Sequence, residues 1–388
     1  MILTYSYKLY LSATQEKTLE RWLRTCCWIY NRALEHRIKA YQRRKESVSY
    51  RDQQSLLTEW RGRMGNLRLV PVEFERDALR RVDHGFKAFF RRLADGEKKV
   101  GFPRFRSHRR YRSLECLFVQ PYLRGDRIRI PNLGLVRCRG RLLPIGKQRG
   151  LRIIHREGGW YAQILLDNGV QVPPCKTQTS IGIDVGLTSF ATLSNGEKVD
   201  NPRFGRKAER KICSLQRRVS RRQEGSANRR KVAQRLARQH ERIASQRRAF
   251  CHVEARKIVN RFNLIAFESL NITDMVRNHK FARSVMDAAW GFFAFCLIYK
   301  AANAGGQAVG VDPRRTSQEC PWCGKIVPKK LSERRHQCEC KPGVVIDRDH
   351  AAALVILARA VAGKRGESLV EESTSTAPSV GGVGMSFR

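Results

Sequence analysis

Ile181-Gly182-Ile183-Asp184-Val185-Gly186 alternates branched apolar residues with Gly, Asp and Gly. Successive side chains of a strand point to opposite faces, so Ile181, Ile183 and Val185 share one face and Asp184 leaves the other. The glycines beside Asp184 leave room there for a metal ion and a phosphate. A carboxylate on an apolar strand is expensive to bury without a partner. After a turn at Gly186, Phe190 to Leu193 reads as a second strand, and Asn195-Gly196 is a hairpin signal.

The partners lie far along the chain. Leu264-Ile265-Ala266-Phe267 is another apolar strand, and Glu268 stands at its end, where α/β sheets favour ligand sites. Asp347-Arg348-Asp349-His350 opens a last helix that runs from about Arg348 to Val361. Asp347 suits the N-cap, accepting a backbone N–H. Asp349 falls in the first turn, where the helix dipole favours the ionised form, so we assign the third ligand to Asp349. Hydrolysis of a phosphodiester by two metal ions requires several carboxylates converging on one point. Strand–Asp, strand–Glu and helix–Asp, in that order, are what an RNase-H-like site requires. Asp184, Glu268 and Asp349 are therefore expected to be catalytic and to hold two Mg²⁺ or Mn²⁺ ions.

The charge agrees. The 388 residues include 76 Lys+Arg against 35 Asp+Glu, a net +41. Self-repulsion on that scale calls for a polyanion, and nucleic acid fits because each phosphate contact releases a counterion. An anionic membrane is the competing partner, but the basic residues are spread along the chain rather than gathered beside an apolar anchor. Residues 206–260 read as a long helical section broken near Glu224-Gly225-Ser226, and 205–248 holds 16 Lys+Arg against 3 acids. Pairing at i,i+4 cannot neutralise that imbalance, so a helical hairpin facing nucleic acid is expected. Its candidate contacts are Arg206, Lys207, Arg210, Arg217, Arg218, Arg221, Arg222, Arg229 and Arg230.

Four of the 12 cysteines fall together: Cys320-Pro321-Trp322-Cys323 and Cys338-Glu339-Cys340. C-x-x-C-G is the form of a knuckle that presents two thiolates to one ion. The second half has one intervening residue where two are usual, and His336 is a plausible substitute ligand. A structural Zn²⁺ site is expected. The start, MILTYSYKLYL, has no apolar h-region and carries Lys8, so secretory export is not expected. The longest apolar stretch, Ala288 to Tyr299, reads as a buried helix, being shorter than a spanning one. No membrane is expected as a partner.

Upstream, Ser12-Ala13-Thr14-Gln15 has the form of a capping box, and helical patterning follows to about Asp95. From Gly101 the texture becomes short, partly alternating segments bounded by Gly or Pro, such as Arg127 to Pro131 and Trp160 to Leu165. These read as strands of a small basic sheet or barrel.

Together these motifs resemble the TnpB (OrfB) family of insertion-element proteins, relatives of type V CRISPR effectors. Ile183-Asp184-Val185-Gly186 is similar to its first RuvC motif and Phe267-Glu268-Ser269-Leu270 to its second. Asp287 to Trp290 is similar to the segment after that glutamate, Thr316 to Cys320 to the opening of its zinc ribbon, and Asp347-Arg348-Asp349 to its third motif. Gly101-Phe102-Pro103-Arg104-Phe105 fits as well. Two departures are Ala351, where the family has Asn, and the compressed second cysteine pair.

The resemblance implies a multi-domain α+β protein: an N-terminal small β-barrel with an inserted helical bundle, then an RNase-H-like (RuvC) α/β nuclease domain with an inserted zinc ribbon. The boundaries follow as 1–12 (first barrel strand), 13–100 (helical recognition insertion), 101–172 (rest of the barrel) and 173–180 (linker). The nuclease domain takes 181–362, with the ribbon at about 314–345, and a disordered tail takes 363–388. The implied activity is RNA-guided cleavage of DNA, with a guide RNA from the element and double- and single-stranded DNA as partners, in the cytoplasm of a prokaryote beside its nucleoid. Alternatives are a transposase proper and a catalytically silent RNA-guided regulator.

Overall fold

A computed structural model describes residues 2–97, 100–117, 122–140, 143, 145–167, 169, 179–330 and 333–367. The chain divides into two units, Met1–Gln171 and Val172–Arg388. Of the expected linker 173–180, residues 173–178 lie outside the described residues and Ser180 already begins a strand, and of the expected tail 363–388, residues 368 onward lie outside them.

The first unit begins with β1 (Ile2–Tyr10), followed by α1 (Ala13–Arg44), α2 (Tyr50–Arg63) and α3 (Val72–Ala94). Ser12 caps α1 in a full capping box with Gln15, as the sequence indicates. Six strands follow: β2 (Ser113–Cys116), β3 (Tyr122–Arg124), β4 (Arg127–Ile130), β5 (Gly134–Arg139), β6 (Lys147–Arg156) and β7 (Gly159–Asp167). They join β1 in a seven-stranded sheet of order β2-β6-β7-β1-β5-β4-β3. β1 lies between β7 and β5, antiparallel to both. β2 and β3 stand at the two ends of that order. β7 alternates strictly between buried and half-buried positions. Its buried face, with Ile128, Val136 and Leu151, packs into one core with Leu19, Trp22, Ile29 and Phe74 of the helices.

The second unit is built on β8 (Ser180–Val185), β9 (Ser189–Leu193) and β10 (Lys198–Asp200), then α4 (Phe204–Ser220), α5 (Ala227–Val259) and β11 (Leu264–Glu268). Next come α6 (Ile272–Arg277), α7 (His279–Ala288), α8 (Trp290–Asn303) and β12 (Gln307–Val311). The short hairpin β13 (Arg335–Gln337) and β14 (Val345–Asp347) leads directly into α9 (Arg348–Glu367). The sheet order is β10-β9-β8-β11-β12. β8, β11 and β12 run parallel, while β9 and β10 fold back as antiparallel neighbours. Ile181, Ile183, Phe190 and Phe267 bury one face against α5 and α8 through Cys251, Ala255, Phe293 and Leu297. α9 covers the other face, where Ala266 meets Ile356 and Ala360.

Three local features depart from expectation. The helix expected from about Arg283 to Ala302 is two, parted at Ala289 in the left-handed region (φ 58°). His279–Asn303 has the length and apolar composition to cross a membrane, but that break divides it, and Trp290, Phe293 and Leu297 turn into the core. The last helix continues past Gly363 and Gly366 to Glu367, since each glycine in a helix costs only about 1 kcal/mol.

The third concerns Gly182, whose open space is filled by α9 rather than by a metal. A Cβ there would stand 2.0 Å from the Ala353 carbonyl oxygen and 2.9 Å from Leu357 Cβ. Gly182→Ala is therefore expected to push α9 off the sheet, lowering stability by about 1–3 kcal/mol or more. Thermal unfolding checks this: a melting temperature equal to wild type would refute the close approach.

Candidate active site and metal centre

β8 and β11 lie side by side, with Ile183 opposite Phe267. Asp184 and Glu268 are each the next residue, so both carboxylates leave the face that α9 covers. α9 starts at that end of the sheet and carries Asp349 in its first turn. Burial pushes the Asp184 carboxyl well above the usual range, and the charges of Glu268 and then Asp349 push it further, with Arg348 opposing. Burial also raises Glu268, countered by the Thr316 hydroxyl and the charge of Arg359. Thr316 Oγ1 donates to Glu268 Oε1 at 2.5 Å. Asp184 thus lies within electrostatic reach of both other acids of the sequence reading, Glu268 and Asp349.

They are not packed as tightly as a single-ion site. Among the described residues, only the cysteine group has three or more ligand atoms all within 4.8 Å of one another. Two ions about 3.5–4 Å apart, each about 2.1 Å from its oxygens, accept a wider cage. The donor set fits such a pair. Two carboxylates half-buried at the ends of apolar strands, with Glu268 and Asp349 raising that of Asp184, are hard oxygen donors of the kind such cations take.

Asp347 does something else. Its Oδ1 accepts from the backbone N–H of Asp349 (2.9 Å) and His350 (3.2 Å), which makes it the cap of α9. Oδ2 pairs with Lys198 Nζ at 2.9 Å. Burial pushes this carboxyl up, but Lys198 and the two N–H groups outweigh it and hold it below the ordinary range. Asp349 instead faces Arg348 (3.2 Å) and Arg334 (3.7 Å). Asp347→Ala should lower stability by about 1 kcal/mol while cleavage survives. Abolished nicking with an unchanged melting temperature would reverse the roles of the two aspartates.

The cysteines converge between β12 and α9. Cys320 Sγ lies 3.5 Å from Cys340 Sγ and Cys323 Sγ 3.7 Å from Cys338 Sγ. A tetrahedron of sulfurs about 2.3 Å from zinc has edges of roughly 3.8 Å, so the four thiols fit that ion. The C-x-C pair closes the set despite its missing residue. His336 is buried outside it, its Nδ1 against Lys329 Nζ. Burial raises the Cys320 thiol, but the N–H groups of Cys323 and Trp322, with His336 and Cys340, outweigh this and bring it down to about 6.

Sequence reasoning missed the links from this cysteine segment to the acids. Thr316, just ahead of Cys320, is buried against Glu268. Arg359 of α9 donates to the Asp312 carbonyl at 2.6 Å and pairs with Glu319 at 2.5 Å. The Arg348 N–H donates to the Arg334 carbonyl at 2.8 Å, locking β13 to the start of α9. No spacing rule marks Thr316 or Arg359.

The basic hairpin forms as α4 and α5, with the break where Glu224-Gly225-Ser226 indicates. Leu215, Val232 and Ile243 are its buried stripe. Arg206, Lys207, Arg210, Arg217, Arg218, Arg221 and Arg230 are exposed, and Arg222 and Arg229 half-buried. Arg229 pairs with Glu224 at 3.3 Å. Arg203, preceding α4, makes no side-chain cap. Asp287 caps that helix from α7 instead, accepting from Gly205 N–H (2.8 Å) and pairing with Arg247 at 2.6 Å. This anchors the hairpin to the sheet unit.

Three family profiles match the chain: "Probable transposase" (OrfB_IS605) over residues 163–279, "Cas12f1-like, TNB domain" over 290–356 and "Helix-turn-helix domain" over 1–46. In the structure, residues 1–46 contain β1 and the single long helix α1. A "Putative RNA-guided DNA endonuclease" of Streptomyces pristinaespiralis is 32% identical over 92% of this chain and 89% of its own length. The chain belongs to the TnpB (OrfB) family. A second member, the "Putative RNA-guided DNA endonuclease InsQ" of Escherichia coli (strain K12), is 26% identical over 86% of this chain and 87% of its own. The fold is shared with a chain of the "Cryo-EM structure of the Cas12f1-sgRNA-target DNA complex", at TM-score 0.54 and 14% identity, covering 89% of this chain and 83% of that one.

Proposed function

We propose that this chain is an RNA-guided DNA endonuclease of a transposable element, cutting DNA at Asp184, Glu268 and Asp349. One observation carries the reading: Asp184 and Glu268 end neighbouring parallel strands on the face that α9 covers, and Asp349, in the first turn of α9, is close enough to raise the Asp184 carboxyl. Two Mg²⁺ ions held by these acids would supply an activated water and neutralise the leaving oxygen. The protein's own groups do the placing. Thr316 orients Glu268, Asp347 fixes the turn that presents Asp349, and Arg348 faces Asp349 from the same turn. Cys320, Cys323, Cys338 and Cys340 hold a structural Zn²⁺.

The exposed arginines of α4 and α5 bind nucleic-acid backbone, and the seven-stranded sheet with its helices forms the recognition half. Base pairing with the guide reads sequence, and the protein reads a short flanking motif and duplex shape. Relatives named as RNA-guided endonucleases along nearly the full length support this division of labour. The test is to purify the protein from cells carrying its element and sequence the RNA that accompanies it. A defined transcript from the element's end that directs Mg²⁺-dependent cutting is the expected result. Joined donor–target products formed without RNA would replace this reading with strand transfer.

A further inference from the structure

The face of α1 that looks toward α2 carries Arg32, His36, Lys39 and Arg43, spaced four, three and four apart, so they form one stripe. This stripe lines a trough of about 630 Å³ whose far wall is Leu56 and Trp60 of α2. The trough continues into a second hollow of about 480 Å³ that shares Arg32, Glu35 and Trp60 and adds Trp28, Arg63 and Phe105. Among the lining residues five Arg or Lys face one acid, Glu35. Glu35 pairs with both Arg32 (2.9 Å) and Lys39 (2.5 Å), holding them in place along the wall.

The aromatic end is held open. Phe105 is 58% exposed and Trp28 41%, and Trp28 meets Trp60 edge-on at 5.6 Å. Phe105 cannot fold away because its neighbours are pinned to α1. Asn31 Nδ2 donates to the Arg106 carbonyl and the Arg106 N–H donates back to Asn31 Oδ1, both at 2.8 Å. The Tyr30 hydroxyl donates to the Arg104 carbonyl at 3.2 Å. Rigidly displayed aromatic faces at the end of a cationic stripe match one ligand chemistry: a flat base with an anionic backbone running away from it.

We infer that this trough binds an unpaired nucleotide segment, with a base against Trp28 and Phe105 and its phosphates along Arg32, Lys39 and Arg43. The inference rests on the nucleic-acid reading above and adds a site for unpaired strand outside the nuclease unit. Incoming phosphate competes with Glu35 for Arg32 and Lys39. Removing that carboxylate therefore strengthens binding, an effect opposite in sign to structural damage.

The experiment uses the full chain carrying Asp184→Asn, so that nothing is cut, and labelled (dT)12, (U)12 and a 12-base-pair DNA duplex. Trp28→Ala and Phe105→Ala should each weaken (dT)12 or (U)12 roughly ten-fold with little change in salt dependence. Duplex affinity should be unchanged, and Trp28→Phe should recover most of the loss. Arg32→Gln with Arg43→Gln should flatten the salt dependence by about one to two phosphate contacts, and Glu35→Gln should tighten binding. The oligonucleotide that loses more identifies RNA or DNA as the source of the strand. Unchanged single-strand affinity in both aromatic variants, equal loss on the duplex, or equal competition by polyglutamate would overturn the site. If those variants are silent while the chain still binds nucleic acid, the trough fails and the nuclease reading stands; if the chain binds no nucleic acid, both fail.

Discussion

Asp184→Asn is expected to abolish metal-dependent cleavage and, at the same time, to make the metal-free protein harder to unfold. On the proposed function, the first effect follows from losing one of three carboxylates that would hold the ions, which would supply several kcal/mol of charge stabilisation in the transition state. That corresponds to roughly a thousand-fold or more in rate. The second follows from the direction in which the pKa is moved. Burial and the charges of Glu268 and Asp349 raise the folded-state value well above the ordinary one. The folded protein then keeps a proton that the unfolded chain has released. The contribution of Asp184 to stability is therefore highest below the ordinary aspartate range, falls as pH rises through the interval up to the folded value, and stays low above it. Asparagine carries no such penalty, so the variant should melt higher near neutrality and converge with wild type in acid. Added Mg²⁺ should raise the wild-type melting temperature and barely move the variant's, since a cation binding only the folded state stabilises it by mass action. Surviving cleavage, or equal responses to Mg²⁺, would remove Asp184 from the metal cage.

The acids were legible because each sits where local rules make it conspicuous. Asp184 interrupts an apolar alternation, Glu268 ends an apolar strand, and Asp347 and Asp349 divide cap and first turn by position alone. The helical hairpin was legible for a similar reason: Gly225 and Ser226 break a charge-rich helical pattern that resumes with Ser226 as its cap. What escaped is what only packing decides. Ala289 adopts a left-handed conformation without glycine or proline to announce it. The break lets Asp287 reach the start of α4 while Trp290 and Phe293 enter the core. The glycine at 182 looked like space for a ligand, and only the path of α9 shows what fills it. Strand β1 lies between β7 and β5, with partners more than a hundred residues away, and short-range patterning has no access to such pairings. Thr316 and Arg359 belong to the same class, since their partners Glu268, Asp312 and Glu319 lie 40 or more residues away.

On the proposed Zn²⁺ site, those two residues would make removal of the ion consequential at a distance. Cys320→Ser, or stripping the ion with a strong chelator, should lower cleavage by roughly ten- to a hundred-fold, the range seen when groups that orient metal ligands are lost. The cysteine segment leaves β12 through Thr316, whose hydroxyl holds Glu268, and returns through β14 directly into Asp347 and Asp349. It is also clamped to α9 through Arg359 and Glu319. Without a dication the four thiols cannot all ionise, because burial and hydrogen bonds from Cys323, Cys320 and Cys338 push Cys340 up even as Cys320 comes down. The knuckles then lose the charge that draws them together, and both attachments to the carboxylates loosen. Two readouts separate this from simple unfolding. The first unit has its own core and should keep its melting transition, whereas the transition of the second should broaden. Mg²⁺ should be needed at higher concentration, with part of the lost rate recovered at saturation, because the carboxylates are misplaced rather than absent. If the stripped protein cleaves with unchanged Mg²⁺ dependence, the ribbon does not position Glu268 and Asp349, and the contact from Thr316 is packing alone.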